Sequence, residues 1–255
     1  MEILARYFCL DTVMIDVVLK VVALPQRGGD AVSSQSAVTP GGGFNSMSAA
    51  ARHGMPSVYA GRVGSGPFSE LAIEALGREG IDIPFDADPE SDIGFCVVIV
   101  DEQGERTFVT APGAEWNLRA SDLDGLSIAA GDYVFLSGYN FVYPQLAAVI
   151  APWVVALPRE VVVALDPGPR VMDIPSAMRR NVLERVDWLL SNAEEAGQLT
   201  GAGTPEAAAL ALRSRPFLSR WQLRPRRPPP APDAARQPRR RPVFRRCWMR
   251  RCTTR

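Results

Sequence analysis

The sequence predicts an α/β fold: a doubly wound, mainly parallel sheet with a smaller β-sheet beside it. Three observations support this. After residue 130, apolar runs of four or five residues alternate with helical stretches, as expected for strands covered by helices on both faces. Before residue 112, stretches rich in β-branched residues flank a Gly-rich segment. The chain has 255 residues, enough for one large α/β domain or two small ones with a real core.

The elements follow in order. Residues 6–22 read as β-structure, with Asp16-Val-Val-Leu-Lys-Val-Val the most β-prone part. Gly41-Gly42-Gly43 leads into Asn45, a residue suited to cap a helix, and the Ala-rich helix that follows stops at Gly54. Glycines admit close backbone approach, and a helix start presents unpaired N–H groups, so this segment is a place to hold hydroxyls or an anion. An ordinary Gly-rich turn before a packed helix is the plainer reading. Pro67–Arg78 is helical, with proline at its start and Gly80 after its end. Gly94–Val100 and Arg106–Ala111 flank a hairpin turn at Asp101–Gly104. Strands follow at Tyr133–Leu136, Val161–Leu165 and Trp188–Leu190. Helices are expected over Tyr143–Val155 (despite Pro144 and Pro152), Pro175–Arg185 and from Ala193 to Leu199.

The formal net charge of zero hides two unlike parts. Residues 1–212 hold 13 Lys and Arg against 27 Asp and Glu, whereas residues 213–255 hold 15 Arg and one acid, Asp233. The second part has eight prolines and no helical or strand period, and is expected to be disordered. An Arg-rich tail with Trp221, Phe244 and Trp248 suits phosphate contact and stacking on nucleic acid. Cys247 and Cys252 alone make a weak metal site. The reading preferred here is an out-of-frame translation of GC-rich DNA, which yields Arg, Pro and Ala. Four cysteines give no disulfide framework, no apolar run is long enough to span a bilayer, and no signal peptide is evident. A reduced, cytoplasmic setting is expected.

Over about residues 6–203 the chain resembles the ribokinase-like (PfkB) carbohydrate kinases. Asp16 and the residues after it resemble the family's opening strand, whose Asp reaches sugar hydroxyls. Gly41-Gly42-Gly43-Phe44-Asn45 with Ala49-Ala50-Ala51-Arg52-His53-Gly54 is similar to its Gly-Gly…Asn…Ala-Arg-x-Gly signature. Ala60–Phe68 resembles the next signature segment, with Ser65 where Asp is frequent. Asp101–Phe108 resembles the lid hairpin, and Asn192-Ala193-Glu194-Glu195 the Asn-x-x-Glu motif near the Mg–phosphate site. The resemblance implies a small β-sheet lid, from strands about 12–22 and 93–111, over a ribokinase-like sheet. It also implies a sugar substrate, ATP and Mg²⁺ as cofactors, and a possible homodimer through the lid.

The departures from the family are specific. Asp11 stands where the first strand often ends in Gly. The Gly-Ala-Gly-Asp segment that supplies the catalytic base and anion hole is missing; Thr200–Thr204 imitates it with Thr204 in place of Asp. The late strands of the adenine pocket are replaced by the Arg/Pro segment. An incomplete kinase domain over 1–212 is therefore expected, with an exposed sheet edge, poor solubility and little or no activity. The alternative is a non-catalytic sugar- or partner-binding remnant with a basic tail.

The implied substrate contacts are Asp16, Gly42, Gly43 and Asn45. Asn192 and Glu195 would act through water on Mg²⁺. The plainer roles are an edge carboxylate for Asp16, a helix cap for Asn45, and a capping pair for Asn192 and Glu195. Asp166 either lines the phosphate region or starts its Pro-Gly turn. His53, the sole histidine, reads as a C-terminal cap. Glu115 is a weaker candidate on the lid side.

Overall fold

Strand alternation, read against what each face touches, explains the architecture. The protein is represented by a computed structural model that describes residues 5–213 and 220–223. In β1 (Tyr7–Cys9), Phe8 enters one hydrophobic core and Cys9 a second one. In β4 (Ser57–Tyr59), Val58 joins the first and Tyr59 the second. Successive side chains point to opposite faces, so a strand feeding two cores must be covered on both.

These strands belong to a six-stranded sheet with every pairing parallel, in the order β10-β9-β8-β7-β1-β4. The other members are β7 (Tyr133–Ser137), β8 (Val162–Asp166), β9 (Trp188–Ser191) and β10 (Arg220–Leu223). A second, four-stranded sheet forms the lid in the order β3-β2-β5-β6, from β2 (Val13–Lys20), β3 (Gln35–Gly42), β5 (Phe95–Val100) and β6 (Arg106–Ala111). The larger core gathers Phe8, Val134, Leu136, Val163, Leu165 and Leu189 from the strands, with residues such as Phe141, Ile150 and Val182 from the helices. The smaller core lies where the lid root meets α1 (Gly43–Arg52) and α2 (Pro67–Arg78), around Ile15, Met47, Tyr59 and Leu76.

Residues 6–22, expected as β-structure with a lid strand over about 12–22, divide between the two sheets. The chain leaves the large sheet at Leu10 and enters the lid at Val13. Asn140 fixes this crossing: its Nδ2 donates to Leu10 O and its Oδ1 accepts from Ser137 N, both at 2.8 Å. Val13 N donates to the buried Tyr59 hydroxyl at 3.1 Å. The opening strand of the large sheet is therefore β1, and Asp16 lies on the lid.

Other differences are local. Gly41 and Gly42 lie in β3, which composition gave no reason to expect, and α1 starts at Gly43 with Gly42 as its N-cap. Asn45 is thus inside the helix and does not cap it. The short β4 was also missed. The helix expected from Tyr143 is α5 (Pro144–Ala156), with Pro152 inside it, preceded by the short α4 (Tyr139–Val142). The remaining helices are α3 (Ala120–Asp124), α6 (Ser176–Arg185), α7 (Ala193–Thr200) and α8 (Pro205–Arg213). Gly201, at φ 75°, closes α7 in the left-handed region, so Thr200–Thr204 connects two helices.

The Arg/Pro segment, read as lacking strands, contributes β10 on the edge of β9. Pairing uses only backbone groups, so an open edge accepts a segment without strong strand periodicity. The other proposals for residues 213–255, including nucleic-acid contact and disorder, fall otherwise outside the described residues. No helix among the described residues is long and apolar enough to cross a membrane.

Two acids, the buried Glu115 and the partly buried Asp92, hold the root of the lid in place. The Glu115 carboxylate accepts Gly94 N at 2.7 Å and Gly113 N at 2.9 Å, joining the two ends of the lid hairpin. Asp92 accepts the N–H groups of Phe68 (3.0 Å) and Ser69 (2.7 Å) at the start of α2. Replacing Glu115 by Ala leaves two N–H groups without acceptors and is expected to destabilise the fold by about 2–4 kcal/mol. Urea unfolding of the two proteins measures this; indistinguishable midpoints would refute the bracing role.

Candidate functional site

The lid and the carboxyl ends of the parallel strands enclose a cavity of about 660 Å³. The lid wall follows from register. Asp16 on β2 stands opposite Thr39 on β3 and Cys96 on β5, and Cys96 opposite Thr110 on β6. Laterally paired residues point the same way, so Asp16, Cys96 and Thr110 reach the cavity together. The opposite wall is made by strand ends: Asp11 after β1, Ser137 on β7, Asp166 on β8 and Asn192 after β9. Open α/β sheets place ligands at carboxyl ends where strand order reverses. Here that point is β1, with β4 on one side and β7 on the other.

Asp16 is half-buried. Burial raises its pKa, and the positive charge of Arg106 works against that rise. A β-carbon on Gly41 would overlap the Asp16 carboxylate, so the absence of a side chain there makes the carboxylate's position possible. The next two glycines serve a different contact. Gly42 has φ 60°, and its missing β-carbon leaves room for Thr12 O. Gly43 abuts Asp11 O, and its N–H already donates to Thr12 O at 3.0 Å. This triplet therefore accommodates the β1–β2 crossing as much as a ligand. Gly42 lines the cavity, but Gly43 and Asn45 do not. Asn45 is exposed, with Nδ2 donating to Gly42 O at 3.4 Å.

Asn192 and Glu195 form a reciprocal cap at the start of α7. Asn192 Oδ1 accepts Glu195 N, Glu195 Oε2 accepts Asn192 N, and Asn192 Nδ2 donates to Glu195 Oε1, each at 2.8 Å. Both residues also line the cavity, as does Glu194. Burial raises the Glu195 pKa, while the bond from Asn192 N opposes this. Each carboxylate oxygen retains lone-pair capacity for water. Asp166 lies on the wall and also accepts Gly168 N at 3.3 Å, so it starts the turn and faces the cavity. Glu115 is held in the lid hairpin and does not line the cavity. His53 occupies the C-cap of α1, as expected.

Sequence reasoning missed the cavity's aromatic residues: Trp116 after β6, Tyr139, and Tyr143. Their spacing carries no motif, and only the fold brings them together. Among the described residues, no group of three His, Cys, Asp or Glu is arranged to ligate a metal directly.

A model of the pfkB family of carbohydrate kinases matches residues 5–215. The chain belongs to this family. Among curated proteins it is similar to an uncharacterized sugar kinase of Escherichia coli K12, YegV, at 32% identity over 184 residues, 72% of this chain. The match spans 56% of that relative's length. Among solved structures, the Cryptococcus neoformans ribokinase in complex with ADP superposes with a TM-score of 0.67 at 18% identity, covering 86% of this chain and 71% of that one. The Arabidopsis thaliana ribokinase complexed with ribose and ATP gives a TM-score of 0.60 at 22% identity, covering 83% and 68%. At these identities the solved structures show the fold: a parallel sheet and a smaller mixed sheet in the ribokinase-like arrangement.

In this pfkB-family chain, Gly41→Ala would push the Asp16 carboxylate aside without straining the backbone. The Asp16 carboxyl carbon resonance is expected to shift, with little change in melting temperature. Carbon-detected NMR beside a thermal melt tests this; an unchanged Asp16 resonance would contradict the contact between Gly41 and Asp16.

Proposed function

We propose that this chain binds the acceptor of a carbohydrate kinase in which the γ-phosphoryl group of ATP is transferred to a sugar hydroxyl. The observation that supports this best is that Asp16 on the lid and Asn192 with Glu195 at the sheet ends line one cavity. An ionised Asp16 accepts hydrogen bonds from two acceptor hydroxyls and fixes the sugar's orientation. Gly42 lets the sugar approach the backbone. Closing the lid over the acceptor excludes water.

The residues at the start of α7 suit Mg²⁺ held through water. Asn192, Glu194 and Glu195 sit together at the cavity, and Mg²⁺ retains much of its hydration shell. When bound, ATP with Mg²⁺ supplies the transferable phosphoryl group and the cationic charge that neutralises it. Asn192 and Glu195 would hold water on the metal, and their mutual hydrogen bonds keep both side chains in place.

Transfer also needs a base on the acceptor hydroxyl and donors for the developing charge. The chain has Gly201-Ala202-Gly203-Thr204 between α7 and α8, and no Gly-Ala-Gly-Asp segment. Acceptor binding with little or no turnover is the proposed behaviour of this chain. A second copy meeting it through the lid belongs to the same reading, since Val38 on β3 and Val109 on β6 share the lid face turned away from Asp16 and are 54% and 61% exposed.

A coupled assay of ADP release across a panel of sugars is expected to give turnover near background. Robust, sugar-dependent turnover would overturn the assignment of the missing base. Acceptor affinity is expected to weaken as pH falls, because protonation removes the Asp16 acceptor. Burial raises that pKa, so the loss begins above the ordinary Asp range. Titration between pH 4 and 8 measures it; an affinity independent of pH, or one matched by Asp16→Asn at neutral pH, would refute the role.

A further inference from the structure

Asp16 is carried by the lid, but a residue outside the cavity fixes where the lid begins. Glu115 is 1% exposed and sits in the short 3-10 turn Ala114–Trp116 that follows β6. On both sides this turn is anchored to the body of the fold. Ala114 is fully buried, and its N–H donates to Asp92 O at 2.9 Å. Trp116 packs on the larger core, with its ring centroid 4.2 Å from that of Tyr143. From this fixed point the Glu115 carboxylate reaches the lid root with both oxygens: Oε2 accepts Gly94 N, and Oε1 accepts Gly113 N. A β-carbon on Gly94 would strike Glu115 Oε1, and one on Gly113 would strike Gly94 N, so both glycines leave room for the clasp.

The clasp leads to Asp16 in one further step. Gly94 O accepts Ile15 N at 3.0 Å, at the start of the parallel pairing of β2 with β5. The next register pair sets Asp16 opposite Cys96. Gly94 thus has its N–H held by Glu115 and its C=O held by the residue before Asp16. Ile15 is fully buried in the smaller core, and close-packed interiors transmit displacements rather than absorb them. The residue type fits the task. Two N–H donors converge on one side chain, and a carboxylate offers an acceptor to each; a Gln amide would turn a donor toward one of them. An Asp side chain is one methylene too short to reach both.

We propose that Glu115 is a positioning residue for acceptor binding: through Gly94 and Ile15 it sets where the Asp16 carboxylate stands in the cavity. This rests on the reading of Asp16 as the acceptor's hydrogen-bond partner. Glu115 does not line the cavity, so its effect passes through Asp16.

The test is carbon-detected NMR of the purified chain and of Glu115→Gln and Glu115→Asp. It follows the Asp16 carboxyl carbon from pH 4 to 8, with the exposed Glu206 as reference. Both variants are expected to move the Asp16 resonance and its titration midpoint and to leave Glu206 unchanged. Glu115→Asp keeps the charge, so its effect reports position. A lowered melting temperature with an unmoved Asp16 resonance, or a shift in Glu115→Gln alone, overturns the proposal. If neither variant folds, the unmodified chain decides. Burial raises the Glu115 pKa, and Asp92 and Tyr59 are titratable groups that interact with it. The Gly94 and Gly113 N–H resonances are expected to report the Glu115 midpoint, and the Asp16 carbon to show a second inflection there; a single Asp16 inflection overturns the proposal. Calorimetric titration with ribose, fructose and glucose separates this inference from the acceptor reading. Any of these sugars that binds is expected to lose about tenfold in affinity in both variants, the size of a misplaced charge-assisted contact. Equal affinity overturns the inference and leaves the kinase reading standing. Binding of none of them to the unmodified chain counts against the acceptor reading, and the Asp16 resonance still decides what Glu115 positions.

Discussion

The site depends on one constraint: the chain must pass from a fully covered parallel strand to a lid strand within a few residues. Leu10 ends the first role and Val13 begins the second, and the backbone groups between them find partners outside their own sheets. Leu10 O receives Asn140 Nδ2, Thr12 O receives Gly43 N, and Val13 N reaches Tyr59. Buried backbone groups without partners are costly, so these bonds hold the crossing in one geometry. Because Asp16 follows the crossing by a few strand residues, the same bonds determine where its carboxylate stands. The glycine triplet is the steric counterpart, since side chains there would strike Thr12 O, Asp11 O or Asp16 itself.

The carboxylates of the molecule divide by what surrounds them. Asp92 and Asp122 have lowered pKa values. Burial works against that in both, but Ser69 and nearby backbone N–H groups outweigh it for Asp92, and Arg62 does so for Asp122. Asp16, Glu115 and Glu195 have raised values because burial outweighs their favourable contacts. Glu115 is enclosed by the lid hairpin and acts as a brace. Asp16 and Glu195 instead face the cavity, where an arriving ligand supplies further partners. Glu195 also shows that structural and ligand-facing roles coexist in one residue. Its bonds to Asn192 hold the helix start, and that rigidity places the pair at the cavity.

The parallel sheet was legible because buried strands such as Val161–Leu165 are short apolar runs between turn residues. The lid hairpin was legible from Asp101–Gly104 and its β-branched flanks. Strand β3 was not, because Gln35–Gly42 is polar and glycine-rich and is held by pairing along the whole of β2. Asn45 looked like a cap because of its residue type, but the backbone had already turned helical at Gly43. Asp16, Gly42, Asn192 and Glu195 were legible as a set through the family resemblance. The aromatic contact of Trp116 with Tyr143 was not, since α3, β7 and α4 separate the two in sequence and only the fold brings their rings together.

The central claim is that one cavity joins the lid to the strand ends. Hydrogen–deuterium exchange of the purified chain, with and without a bound acceptor, tests it most directly. The account requires simultaneous protection of Val13–Lys20 on the lid and of the backbone around Ser137–Tyr143. Protection confined to one of these, or falling elsewhere in the chain while the acceptor is bound, would contradict it.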